Sequence, residues 1–470
     1  MIIPLIGQLT VKATNEAMQQ FQNVHFFVYE GVNGRRIKTA AQEGFEVGAT
    51  PGSGDGTAIK IWSGGGNNVV SAFGASTSTI YNALSSLGTL GGVCNFITET
   101  SISGTAHLFF TIASGAKAYF YPAGGAITEI TDGDFPANNS LTLTGPFVHF
   151  AGFNGIMCTN GEFYHSDLNS ASGWTSTAKL TAQAQPDPGV AAILYRDYVI
   201  LFGQRTYEPH YNAGNASGAV ISRIAGAQRN VGLINQYAVV PFMDTIAWAG
   251  TQAGVGVFMM DGLEPKRIST APVEPVIRNA VASTRLHVLT SWGRPRLLVV
   301  SSANDSDGFI YDPYTGMWTY TASGTSLNIT QADNVQSSAV HHSTVFLGAN
   351  NDGKWYRNSN LGAANVVLRT DFMDFGTGKK KTANSMRILG DSQGASVTVS
   401  VKWTDVNGGT YGPSTAKTIV VGSSTPSLLE SITNLGTFRR RSFELSWDGS
   451  GSNVMQALES IEIDLEPCDL

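Results

Sequence analysis

Apolar and polar positions in this chain alternate in short bursts broken by glycine, not at the spacing of three and four that marks a helix. VVSAFGASTSTIYNAL (69–84) turns near Gly74, and AHLFFTIASGAKAYFYPAGGAITEIT (106–131) has a tip at Gly124 and Gly125. VHFAGFNGIMCTNGEFYHSD (148–167) turns at Asn160-Gly161, and YRDYVILFGQRTYEPHY (195–211) at Gly203. Asp261-Gly262, Asp312 to Gly316 and Asp352-Gly353 supply three more tips. Asn-Gly and Asp-Gly between alternating stretches predict hairpins, because type I′ turns need positive φ at both central residues. The tips recur at intervals averaging about 47 residues, within the 40 to 50 typical of propeller blades. A blade buries its faces only by stacking on its neighbours. The expected architecture is therefore all-β: a β-propeller of about six to eight blades over residues 51–370.

Three segments depart from this pattern. RISTAPVEPVIRNAVAST (267–284) places Val273, Val276, Ile277, Ala280 and Val281 at helical spacing. Thr270 as N-cap and Pro272 in the first turn predict one short helix between blades. After about Asp371, alternating strands predict an antiparallel β-sandwich over 371–470, with the basic, glycine-rich GTGKKKTANS as its boundary. Residues 1–50 read as an N-terminal arm or docking segment, with a helix around Thr14 to Phe21.

Composition supports many tight turns: 53 of 470 residues are glycine and only 14% are charged. At 42% apolar residues the chain can fill a core, which argues against disorder. A net charge of −6 argues against a protein that grips nucleic acid by neutralising phosphates, which needs a clustered basic surface, though not against a conduit that DNA slides through. Cys94, Cys158 and Cys468 are too few and too far apart for a disulfide framework or a zinc site, which fits assembly in a reducing cytoplasm. No apolar run approaches the ~18 residues that span a membrane, so membrane insertion is not expected.

RDYVILFGQRTYEPHYNAG (196–214) resembles the signature of the packaged-DNA stabilisation proteins, the tail hub or nozzle proteins of short-tailed bacteriophages. RISTAPVEPVIRN, with Ile268, Ser269, Thr270 and Glu274, is similar to that family's helix entry, and LGTFRRRSFELSW (435–447) to its closing basic strand pair. The similarity runs from about Gly189 to Glu466. It implies a structural virion component, assembled in the host cytoplasm as a homo-hexamer around the tail axis. Such a ring would sit below the portal and its adaptor ring, retain packaged DNA, and dock tail fibres, spikes or a needle. Double-stranded DNA would pass through without sequence-specific binding. The alternative is a receptor- or glycan-binding propeller of a virion; a glycoside-acting enzyme is a third reading, without a convergent acidic pair or Asp-box to carry it.

No catalytic, cofactor or metal residue is expected. Gly390-Asp391-Ser392-Gln393-Gly394 matches a nucleophile elbow, but a strand follows it and no histidine lies beyond His342. Asp305-Ser306-Asp307-Gly308 starts like a calcium loop, yet Gly316 stands where a bidentate glutamate belongs. His341 and His342, adjacent in a strand, point to opposite faces. Trp248, Trp292, Trp318 and Trp355 fall in or beside strands and suit blade packing better than glycan stacking. Lys379 to Lys381 and Arg439 to Arg441 are the basic runs. Either suits DNA phosphates or an acidic protein surface, against a plain solvated linker and a protected edge strand; contact with protein partners around a neutral or acidic channel is the expectation.

Overall fold

The computed structural model describes residues 2–4, 21–31, 34–182, 187–301, 307–321, 335–341, 344–349, 353–362, 366–391, 397–407, 409–421, 432–449 and 457–468. They form two units: one of residues 47–307 and 332–357, the other of 1–46, 308–331 and 358–470.

The first unit is a β-propeller. Five four-stranded antiparallel meanders follow one another along the chain, at 56–89, 94–129, 143–181, 189–223 and 239–267; they are blades 1 to 5. Blade 6 contributes the hairpin Arg285–Ser291 and Arg294–Ser301 to this unit. Blade 7 is built from Val335–His341, Thr344–Ala349 and Trp355–Gly362, and Glu43–Ala49 completes its sheet. Among the described residues the ring thus has seven blades, within the expected range. The first strand of each blade is innermost; those of blades 1 to 4 neighbour one another in turn, as do those of blades 5, 6, 7 and 1, with Val335–His341 returning to Gly56–Trp62. The closure is hydrogen-bonded: the Ser337 hydroxyl donates to the Gly56 carbonyl at 2.8 Å, and the Gly353 N–H to the Gly54 carbonyl at 3.0 Å.

Blade stacking explains why several strands are apolar on both faces. Leu108 and Phe110 pack with Ala58, Trp62 and Ile80 of blade 1. Phe109, between them, points the other way, onto Phe147, Ile156 and Trp174 of blade 3. Leu-Phe-Phe is therefore one residue for one neighbour and two for the other, as sheets covered on both faces require. The same logic pairs Phe150, Met157 and Phe163 with Val199, Leu201 and Ile221 between blades 3 and 4. Each such aromatic, fully buried, contributes roughly 1.5–3 kcal/mol.

The predicted tips lie where turns need them. Gly161, Gly262, Gly316 and Gly353 have φ of 89°, 64°, 73° and 68°. The helix is present but shorter than its pattern, Val273–Asn279, with Val273 and Ile277 buried. Thr270 does not act as its side-chain cap. Pro272 occupies the cap position, and Thr270 instead offers its carbonyl to the N–H groups of Val273 and Glu274.

The second unit is the β-sandwich, and its composition differs from the expected one. One sheet runs Val24–Gly31, Gly34–Ala41, Ala457–Pro467, Lys381–Asp391, Ile432–Phe438, with Ile2–Pro4 paired to Ala457–Pro467. The other contains Met317–Thr321, Phe21–Gln22, Val366–Arg369, Ser442–Trp447, Val397–Thr404 and Gly412–Val421. Phe21–Gln22, Val24–Gly31 and Gly34–Ala41 are thus strands of the sandwich, not an arm. Phe21, Val24 and Phe26 enter one core with Leu368, Met386, Val399, Phe443 and Ile461. The hairpin Asp307–Asp312 and Met317–Thr321 groups with this unit. The helix expected around Thr14 to Phe21 falls outside the described residues apart from Phe21, which is in a strand.

Candidate functional site

A propeller offers two places for function: its axis, and the loops and edges around it. At the axis, side chains meet from blades on opposite sides of the ring. Phe96, on the innermost strand of blade 2, stacks on Tyr237 at the entry to blade 5, with ring centroids 5.3 Å apart and planes 23° apart. The Arg285 guanidinium of blade 6 lies 4.0 Å from the centre of the Tyr237 ring. Beside it the Gln236 amide oxygen accepts from the Gly145 N–H of blade 3 at 2.8 Å. The segment carrying these groups is fixed at both ends. The Leu286 N–H donates to the Tyr237 carbonyl, and the Asn235 amide donates to the carbonyls of Val281 and Thr284. Burial pushes the Tyr237 phenol up and pulls the Arg285 guanidinium down from its ordinary value. These groups bridge the axis from blades 2, 3, 5 and 6.

The two motifs that carried the family resemblance both resolve into packing devices. In blade 4, Tyr198–Gly203 turns into Tyr207–Asn212, and the turn is organised by Asp187. Its carboxylate accepts from the N–H groups of Gln204, Arg205 and Thr206 at 3.1, 2.7 and 2.9 Å, and from the Thr206 hydroxyl at 3.1 Å. Gly203 is required there, because a Cβ would lie 2.3 Å from the same carboxylate. Inside the blade, Glu208 and His210 are both buried, with His210 Nε2 4.0 Å from the Glu208 carboxylate. Burial pushes His210 down to about 4, and His165 in the neighbouring blade is also pushed down by burial. His165 Nε2 accepts from the Val220 N–H, tying blade 3 to blade 4. In the second motif, the Glu274 carboxylate accepts from Ser269 Oγ and Arg267 Nε, both at 2.9 Å, while Ser269 Oγ accepts from the Val257 N–H. Helix and blade 5 are locked together.

The basic runs do come together. Lys381 pairs with Phe438 across adjacent antiparallel strands, so Lys379-Lys380 and Arg439-Arg440 leave the same end of the sheet. Each run also gives up one cation to the interior. Lys381 is buried, its ammonium donating to the carbonyls of Asp374, Thr377 and Arg439 at 2.7, 2.8 and 2.6 Å. Arg441 is buried too, with a two-pronged bond to Asp405 at 2.6 and 2.9 Å and its ring-facing side 4.2 Å from the Phe438 centroid. Lys379, Lys380, Arg439 and Arg440 remain exposed.

The other sequence candidates do not assemble into a site. Ser392, Asp305 and His342 lie outside the described residues; Asp307 and His341 are placed in strands. Among the described residues no cluster of His, Cys, Asp and Glu is arranged to hold a metal. Trp248 is wholly buried between Phe202 and Phe258, Trp318 lies against Tyr311, and Trp355 covers Gly48, where a Cβ would strike its ring. Trp292 stands first in a two-residue turn, at φ 49°. Free thiols Cys94 and Cys158 are buried, and burial raises both, Cys158 to about 12, so they are inert. Sequence reasoning missed Phe96, Gln236, Tyr237, Arg285 and Asp187, because each acts on a partner distant in the chain and none carries a motif.

The profile of the phage-stabilisation family, described as "Bacteriophage P22 Gp10, beta-propeller", matches residues 54–312, more than half of the chain. The chain belongs to this family. It is a phage β-propeller virion protein of the DNA-stabilisation family, and the match opens two residues before blade 1 and extends past the blade 6 hairpin. The phage-stabilisation profile reaches further toward the N-terminus than the motif resemblance, and does not extend over the C-terminal strands. No curated protein matches the chain. Among solved structures, the mitotic checkpoint complex is similar at 12% identity and a TM-score of 0.41, over 66% of this chain and 92% of that one. The WD40 β-propeller domain of Doa1 is similar at 10% identity and a TM-score of 0.41, over 67% and 97%. At these scores nothing further rests on either. Among the described residues no helix is long and apolar enough to cross a membrane.

Proposed function

We propose that this chain is a non-enzymatic tail hub or nozzle: a homo-hexamer around the tail axis, below a portal and adaptor ring, that retains packaged DNA and docks fibres, spikes or a needle. Beyond family membership, the observation that carries this reading is the set of contacts across the axis. Phe96, Tyr237 and Arg285 meet there, which supports a path for DNA between copies arranged in a ring rather than through one copy. Of the residues that look chemically capable, Asp187 organises a turn, Glu274 joins the helix to blade 5, and Glu208 and His210 are buried inside a blade, which suits a structural role.

Electron microscopy of the purified protein, alone and in assembled tails, tests the reading. The expected result is a ring of six with an open centre, at the distal side of the portal. A protein that stays monomeric in the virion, or is absent from the tail, overturns it.

A further inference from the structure

The four exposed cations at the end of the sandwich sheet keep their charge unneutralised by any described carboxylate within salt-bridge distance. Lys379, Lys380, Arg439 and Arg440 come from runs 60 residues apart in sequence and lie just beyond the ends of neighbouring strands, which run about 5 Å apart. The backbone beneath them is held rigidly by the buried Lys381 and Arg441, and Arg439 Nη1 donates to the Gly378 carbonyl at 3.3 Å. Among the described residues none of the four has an acidic partner within salt-bridge distance; of the described carboxylates near them in sequence, Glu444 is paired with Arg369 and Asp374 caps its own turn by accepting from the Gly376 N–H.

We propose that this patch binds the phosphate backbone of duplex DNA without reading its sequence. A duplex carries one charge per ~1.7 Å of axis, so a patch two strands wide meets several phosphates at once. A protein partner fits less well, because protein interfaces are built on a desolvated apolar centre. Here the residues beside the cations include Thr377, Gly378, Gly436 and Thr437, and the aromatic ring among them, Phe372, is half-buried beneath the Arg440 guanidinium at 5.4 Å. The large apolar side chains this unit exposes among its described residues, Tyr314 and Val406, adjoin none of the four in sequence. The grip is weak in one copy, since the chain as a whole carries −6 and repels the duplex elsewhere. It is also readily released, as a contact that must let DNA go requires. The expectation that both basic runs turn toward protein is replaced by this one. It deepens the tail-hub reading by naming where the duplex is touched, yet is tested without it.

The test is fluorescence anisotropy of the full-length protein with a labelled ~20-bp duplex in two unrelated sequences, titrated over salt from ~20 to ~200 mM. Four neutralised phosphates predict a slope of log affinity against log salt of about −3.6, the same for both sequences. Lys379→Gln/Lys380→Gln should leave about half of that slope, and adding Arg439→Gln/Arg440→Gln should abolish binding, with an unchanged thermal melt. No binding at the lowest salt, a strong preference for one sequence, or full affinity in the fourfold variant overturns the proposal. A fourfold variant that binds DNA normally but fails to enter tails assigns the patch to a protein partner instead, and likewise overturns it. Patch-dependent DNA binding by a protein that forms no ring leaves this proposal standing and removes the hub.

Discussion

The propeller and the sandwich are both all-β, and both bury large aromatic side chains completely, but the chain reaches the two cores by different routes. In the propeller each meander is contiguous, and its partner faces lie one blade before and one blade after; Phe109 and Phe110 serve blades 3 and 1 from adjacent positions. The one long-range step is the closure, where Gly48 and Gly54 meet Trp355 and Gly353. In the sandwich, three separated stretches interleave, and Thr39 Oγ1 donates to the Leu458 carbonyl across 419 positions. A repeat of local units can be read from periodicity; an interleaved sheet cannot, because nothing near Phe26 in sequence announces Ile461. Long-range pairing of this kind also forms late and slowly in folding.

The largest expected effect separates an arm from an integral strand. Phe26 is 1% exposed within the sandwich core, so Phe26→Ala should cost about 3–5 kcal/mol in chemical unfolding of the full chain. An N-terminal arm would lose almost nothing. A change under about 1 kcal/mol would restore the arm and remove 21–41 from the sandwich.

Acid should act on the propeller through its buried histidines. His210 stays neutral in the folded protein down to about 4, whereas in the unfolded chain it titrates near 6.5. Between those values the unfolded state binds more protons, so stability is complete above the upper one and falls as pH drops toward the lower. The contribution of His210 is on the order of 3 kcal/mol over that window. The surrounding charges are Glu208, 4.0 Å away, and Arg223, which disfavours the protonated ring. His210→Gln should flatten the fall in midpoint between pH 6.5 and 4. An identical pH profile in wild type and variant would show that the histidine is not held neutral between its blades.

Turn chemistry and blade period were legible because type I′ and related turns select glycine locally: Gly161, Gly262 and Gly353 were identified from their Asn or Asp neighbours. Turns without that neighbour were not. Ala151-Gly152 and Trp292-Gly293 join first and second strands with the leading residue at φ 46° and 49°, conformations that neither Ala nor Trp advertises. The axial contacts were equally hidden, since Phe96, Gly145, Tyr237 and Arg285 become neighbours only once the ring closes. The basic runs were visible as runs; that each contributes one cation to the interior and two to a shared patch depends on the pairing of Lys381 with Phe438.

The smallest expected effect distinguishes a free turn from the closure. Gly262 has φ 64° and nothing within 4 Å of where a Cβ would stand, so Gly262→Ala carries only the left-handed backbone penalty, roughly 1 kcal/mol. Gly353 has nearly the same φ, 68°, but its Cβ would lie 2.3 Å from the Gly52 carbonyl oxygen. That oxygen is backbone, and the Gly353 N–H is already committed to Gly54 at 3.0 Å, so neither side can move without opening the bond that ties residues 52–54 to blade 7. Gly353→Ala should therefore lower the unfolding midpoint distinctly more than Gly262→Ala, although backbone propensity alone makes the two equal. Equal losses in paired thermal melts would mean that the seam between the first and last blades contributes no more than an ordinary hairpin, and that the ring is held by its inter-blade cores instead.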